Sequence, residues 1–303
     1  MIFPLKNQPQ GRPGLGLILV LPFLLSAGGP GGLAPAVSPG PQTQDVRPES
    51  ELLSKAKAYC RRLQFASLDF VCREVITETI AGRPDRFESL DSFGGQPFQA
   101  KSPVLKHQLV YDYQFVRDES RAKETRTLVE EDGVQKNLLN ADLLTWSFRY
   151  ENVLFGPATL LDDRNSGRYD FAAEAETELV GQPAVVFSVR PKAEAEVKPL
   201  PFGRIWVSPE DGAVLKIEWD ERSLRNYSAV EQQAKELGAE PRLTMTSEFG
   251  FAKNGIRFPG RHTIVEAYVK GKGRAFIRSK TVVEYVRYQF FTVETAVEFK
   301  KSP

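Results

Sequence analysis

GRIWVSPEDGAVLKIEW, residues 203–219, reads as strand, tight turn, strand. Leu215, Ile217 and Trp219 alternate with Lys216 and Glu218, the period-two pattern of a half-buried strand. The turn is Pro209-Glu210-Asp211-Gly212, where glycine accepts the positive φ that a tight reversal needs.

The same grammar extends in both directions. FVCREVITETI (70–80), HQLVYDYQFVRD (107–118), ETRTLVEEDG (124–133), RYDFAAEAETELVG (168–181), PAVVFSVRP (183–191), RLTMTSEFGF (242–251), GIRFPGRHTIVEAYV (255–269), RAFIRSKTVVEYV (274–286) and QFFTVETAVEFKK (289–301) are rich in Val, Ile, Thr, Tyr and Phe. Short turns such as Lys253-Asn254-Gly255 and Gly271-Lys272-Gly273 separate several of them. Together they predict a mainly β, α+β fold: an antiparallel meander of about eleven strands. Leu109, Tyr111, Tyr113 and Phe115 share one strand face, as do Val185, Phe187 and Val189, and Phe291, Val293, Val297 and Phe299. One apolar face per strand means that one side of the sheet is wet and the other covers something. Three segments are available to lie across it. These are the helix SELLSKAKAYCRRL (50–63), a second helix LRNYSAVEQQAKELG (224–238), and NADLLTWSFRYENVLFGPATLLDD (140–163), read as a helix plus lid.

The first forty residues carry Lys6 and Arg12, then an apolar run from Leu15 to Leu25, then Ala34-Pro35-Ala36. That is the layout of a secretory signal peptide, with an alternative cut after Ser26-Ala27 and an uncleaved anchor as the competing reading. The expected organisation is signal peptide 1–36, Pro/Gly/polar linker 37–48 and one half-barrel domain 49–303, exported to the periplasm or cell surface. The chain has 40 Lys and Arg against 39 Asp and Glu. Without Lys6 and Arg12 the basic count falls to 38 against 39 acids, a balance that does not suit nucleic-acid binding.

Cys60 and Cys72 are the only cysteines. In an oxidising compartment such a pair is expected to form a disulfide, with two free thiols as the alternative. The bond needs the chain to turn at Gln64–Ser67, because a continuous helix would hold the two apart. No metal site is expected, since His107 and His262 are the only histidines and lack ligand spacing. Both are read as solvent-facing strand residues. No nucleophile elbow, zinc-protease motif, phosphate loop or dinucleotide fingerprint is present, so an enzyme is not expected and no cofactor is implied. Glu130-Glu131 and Asp162-Asp163 read as solvated turn tips. KGKGR (270–274) suits either peripheral contact with anionic lipid head groups or a charged hairpin tip.

FGPATLLDD (155–163), the 203–219 hairpin and KNGIRFPGRHTIVEAY (253–268), taken together, resemble the outer-membrane lipoprotein-sorting (LolA-like) superfamily. The YC…FVC opening and the FFTVET strand also resemble exported bacterial proteins of unknown function. The superfamily resemblance implies a strongly curved antiparallel sheet, an unclosed β-barrel with helices on its concave face. It also implies a non-enzymatic binding protein whose concavity holds a lipid or the acyl chain of a lipidated protein. The alternative is a cell-envelope structural or protein-interaction module that fills its own concavity. Inward-face alternation gives Tyr111, Tyr113, Phe187, Leu215, Ile217, Trp219, Met245 and Phe249 as candidates for lining a ligand cavity.

Overall fold

The computed structural model describes residues 3–4, 48–66, 69–82, 88–89, 104–118, 121–192, 200–224, 227–271 and 274–291. Eleven strands form one path: β1 (Phe70–Ala81), β2 (Val104–Asp118), β3 (Arg121–Glu131), β4 (Val134–Leu138), β5 (Tyr169–Leu179), β6 (Gln182–Pro191), β7 (Gly203–Val207), β8 (Val214–Trp219), β9 (Glu240–Glu248), β10 (Arg261–Lys270) and β11 (Arg274–Phe290). Their order across the sheet is β4-β3-β2-β1-β11-β10-β9-β8-β7-β6-β5, with every neighbour antiparallel. Glu88–Ser89 adds a two-residue strand beside Arg274–Ala275, and Phe3–Pro4 pairs with Phe148–Arg149. The outer strands β4 and β5 do not meet, so the barrel is unclosed. Along the eleven-strand path only one junction, β1 with β11, joins strands distant in sequence; every other neighbour on the path follows in order.

Three details differ from the sequence reading. The single strands read at 242–251 and 255–269 are each broken, and the pieces Phe251–Lys253 and Ile256–Phe258 form a separate two-stranded hairpin. VQKNL, now β4, was not among the expected strands, because all five residues are exposed and show no inward period. The expected last strand at 289–301 lies mostly outside the described residues; residues 289–290 end β11, a 17-residue strand. A register shift between Val286 and Gln289, with Arg287 at φ 57°, carries β11 around its bend, as bulges do.

Four pieces cover the concave face. Helix α1 (Pro48–Phe65) begins with Glu49 and Glu51 and ends with Arg62, charges that suit its dipole. It buries Leu52, Ala56, Tyr59, Cys60 and Leu63, one stripe at helical spacing. At Gly212 the turn after β7 touches α1 so closely that an added Cβ would fall 2.5 Å from the Lys55 carbonyl carbon, and φ there is +71°. Short helices α2 (Gly156–Leu161) and α3 (Asp163–Ser166) lie beside α1. Helix α4 (Tyr227–Leu237) buries Val230 and Ala234 against β9 and β10. Residues 139–152 run as an irregular strap over β1–β3.

The interior falls into two apolar clusters. One packs the strap and α4 on β1, β2, β9, β10 and β11; the other packs α1 and α2 on β6–β8. Trp219 packs against both. In the first cluster Phe70 contacts Phe115, Phe258, Tyr288 and Phe290 at ring separations of 5.3–5.7 Å. Contacts of this kind add about 0.5–1.5 kcal/mol per pair beyond burial.

The cysteine expectation is corrected. Cys60 and Cys72 are both buried, and both are free thiols. The chain does turn after Phe65, but Cys60 sits more than a turn inside α1 and faces the second cluster, whereas Cys72 on β1 belongs to the first. Burial, more than any neighbouring charge, raises both thiols far above their ordinary range, which suppresses the thiolate needed for oxidation. Alkylation with iodoacetamide after denaturation without reductant should therefore add two adducts, and the native protein should take up neither. A denatured mass without adducts would instead reveal a bonded pair.

Candidate binding cavity

One row of paired residues crosses the inner face from β2 to the edge strand β5: Leu109, Ile76, Val283, His262, Ser247, Ile217, Ile205, Phe187 and Ala173. It is apolar except at its centre, where His262 of β10 stands beside Ser247 of β9. These two form part of the floor of a cavity of about 270 Å³ at the seam between the two clusters. Trp219 and Met245, themselves a cross-strand pair, complete that floor. Tyr150, Asn152, Val153, Gly156 and Thr159 close it from the strap and α2, and Pro201, Ser223 and Leu224 rim it. Gly156 lets α2 approach β8: a Cβ there would lie 3.1 Å from Ile217 Cδ1.

The eight candidate residues divide accordingly. Trp219 and Met245 line the cavity. Ile217 and Phe249 lie under the start of α2 and help to place it. Tyr111 and Tyr113 are packed in the first cluster, Phe187 in the second, and Leu215 is buried in β8.

Both histidines are buried, contrary to the solvent-facing reading, at 2% and 3% exposure for His107 and His262. Alternation placed them on inward positions of β2 and β10, and the apolar residues two positions away (Leu109 and Ile264) were the available signal. His262 Nδ1 lies 2.9 Å from Ser247 Oγ, while its Nε2 has no hydrogen-bond partner among the described residues. The Tyr150 ring is 5.3 Å from the imidazole. Burial lowers the His262 pKa from 6.5 to about 3, so the ring is neutral at physiological pH.

The strap that roofs the cavity is held by acids that sequence reasoning missed. Glu74 and Glu78, on the inner face of β1, are at most 1% exposed. Glu78 accepts from the backbone N–H groups of Trp146 (2.7 Å) and Ser147 (3.1 Å), and sits 3.2 Å from His107 Nδ1. Trp146 in turn stacks on His107 with ring centroids 4.0 Å apart. Glu74 accepts two bonds from Arg126, Nε at 2.6 Å and Nη2 at 3.1 Å, and a third from Tyr150 Oη at 3.1 Å. Tyr111 Oη accepts from the Leu144 N–H at 3.0 Å. Burial works against the charge on Arg126, but the Glu74 carboxylate outweighs it, and the pKa of the guanidinium rises. Asp162 is likewise not a free turn tip: it caps α3, accepting from the Arg164 N–H at 2.9 Å. Among the described residues no group of His, Cys, Asp and Glu is arranged to hold a metal ion, and no helix is long and apolar enough to cross a membrane.

Two measurements check these assignments. Glu74→Gln leaves Arg126 buried beside a neutral partner, so urea denaturation should show a loss of about 3–5 kcal/mol. Glu74→Leu combined with Arg126→Met should recover much of it, because both charges then disappear together; a single-variant loss under about 1 kcal/mol would contradict a buried pair. For His262, the unfolded chain takes up its proton near 6.5 but the folded chain only near 3. Stability should therefore fall as pH drops through that window, by on the order of a few kcal/mol, and His262→Gln should show a shallower fall.

No protein-family model matches the chain, and no curated protein matches it. Solved structures do align. A DUF1329 family protein from Desulfovibrio piger aligns at 12% identity and TM-score 0.38, over 80% of this chain and 95% of that one. A putative outer membrane lipoprotein-sorting protein domain from Vibrio parahaemolyticus aligns at 10% identity and TM-score 0.37, over 80% and 93%. A LolA superfamily protein from Nitrosomonas europaea aligns at 14% identity and TM-score 0.30, over 80% and 94%.

Proposed function

We propose that the mature chain is an exported, non-enzymatic binding protein of the periplasm or cell surface, holding one lipid-like chain in the cavity at the seam. The ligand would be a lipid or the acyl chain of a lipidated protein. The observation that carries this reading is the floor of Trp219 and Met245 beneath a roof made of a strap and a short helix rather than another strand. At about 270 Å³ the space lies near the lower end of ligand pockets, about 300–1,000 Å³, which suits one chain rather than several. Its lining is more polar than a purely apolar carrier groove, since Ser223, Ser247, Thr159 and Asn152 share it with the apolar groups.

The nearest approach to catalytic chemistry is the Ser247–His262 contact. A nucleophilic pair needs a base held in orientation by a third group. Here Ser247 occupies Nδ1, and Nε2 has no partner among the described residues to orient the ring. The pair therefore serves binding better than acyl transfer.

A second reading, an envelope interaction module, is favoured by how much of the concavity the protein fills itself. The strap, α1, α2 and α4 occupy most of it, and the exposed edge strand β4 leaves backbone groups free to pair.

Native mass spectrometry of gently purified mature protein, with lipid extraction alongside, separates the two. An acyl-chain mass should co-purify and should be lost in Trp219→Glu, with the fold intact by circular dichroism. Bare protein that remains bare after incubation with phospholipid and lipopeptide would end the carrier reading.

A further inference from the structure

The inner-face row is apolar on both sides of its centre, yet the cavity opens where it is polar. A site built only to hold hydrocarbon gains nothing from a buried imidazole, and an unpaired buried nitrogen is costly. Among the described residues only three buried side-chain atoms lack a partner, and His262 Nε2 is the one that belongs to a cavity-lining residue. We infer that the cavity selects an uncharged amphiphile, whose ester, amide or hydroxyl head bonds His262 Nε2 while its chain lies along Trp219 and Met245.

Two features of the lining carry the selectivity. First, Ser247 Oγ both donates and accepts, so it satisfies Nδ1 in either tautomer. Nε2 can then present an N–H to an ester or amide carbonyl, or a lone pair to a hydroxyl. Second, among the described residues Glu151 is the only carboxylate in the lining and no Lys or Arg joins it, while His262 is neutral. A carboxylate or phosphate head would lie beside the Glu151 carboxylate with no Lys or Arg of the described lining to meet it, and an ion desolvated in that way is disfavoured.

The inference rests on the binding reading above, and the test separates the two. Delipidated mature protein is titrated calorimetrically at neutral pH with monododecanoylglycerol and with dodecanoate, which share a chain and differ in head charge. The neutral probe should bind at least about tenfold more tightly. His262→Phe should weaken the neutral probe by about tenfold or more, and Glu151→Gln should narrow the gap between the probes. Should His262→Phe fail to fold by circular dichroism, Ser247→Ala takes its place, with a severalfold loss expected. Dodecanoate binding as tightly as the neutral probe, or a folded His262 or Ser247 variant at full affinity, would overturn the selectivity and leave the chain-binding reading standing. If neither probe binds, both fall together.

Discussion

The arrangement depends on two carboxylates pointing the wrong way. Inner-face positions of a strand normally carry apolar side chains, but Glu74 and Glu78 face inward from β1 and are fully desolvated. Such groups persist only where every lone pair is answered, and here the answers come from Arg126, Tyr150, His107 and the backbone of the strap. Apart from the two-residue pairing at Phe148–Arg149, the strap has no ladder. Its N–H groups need acceptors, and the carboxylates need donors, so each satisfies what the other would leave unpaired. With Tyr150 held on Glu74, the chain is delivered at a fixed height to Asn152 and Gly156, where the roof of the cavity begins.

The two clusters follow from that placement. The strap covers the β1–β3 half, α1 and α2 cover the β6–β8 half, and the strap and α2 meet over the middle without filling it. Trp219 spans the gap without filling it, which leaves the cavity where two separately packed halves meet. A ligand there touches both halves, so occupancy would couple strap to helix through shared contacts rather than through a hinge.

The sheet was largely legible in the sequence. Leu215, Ile217 and Trp219 alternate plainly, and Pro209–Gly212 marks its own turn, because local strand and turn chemistry dictates both. The strap was legible only as a rich apolar segment; its path is set by acids 60 to 80 positions earlier, and no local pattern announces such a partnership. Glu74 and Glu78 read as ordinary polar alternation until the burial of β1 is known. The cysteines misled for the same reason: spacing allowed a bond, while the helix face on which Cys60 packs into the second cluster separated it from Cys72 in the first. Of the cavity, Trp219 and Met245 were within reach of alternation, whereas His262 required knowing that β10 lies at the centre of the sheet.

The single junction between β1 and β11 has a consequence for the order in which the domain can assemble. Every other pairing along the eleven-strand path joins neighbours in sequence and closes a smaller loop, but this one joins the first strand of the path to the last and carries the largest closure entropy. A chain delivered from its N-terminus can build β1–β4 early, yet β1 keeps one edge open until nearly the whole domain has arrived. During that interval the acids of β1 are close to water and the strap has little reason to settle. The last strand therefore completes the sheet and commits the interior in one event, and before it arrives the open edge of β1 is a surface for misdirected pairing.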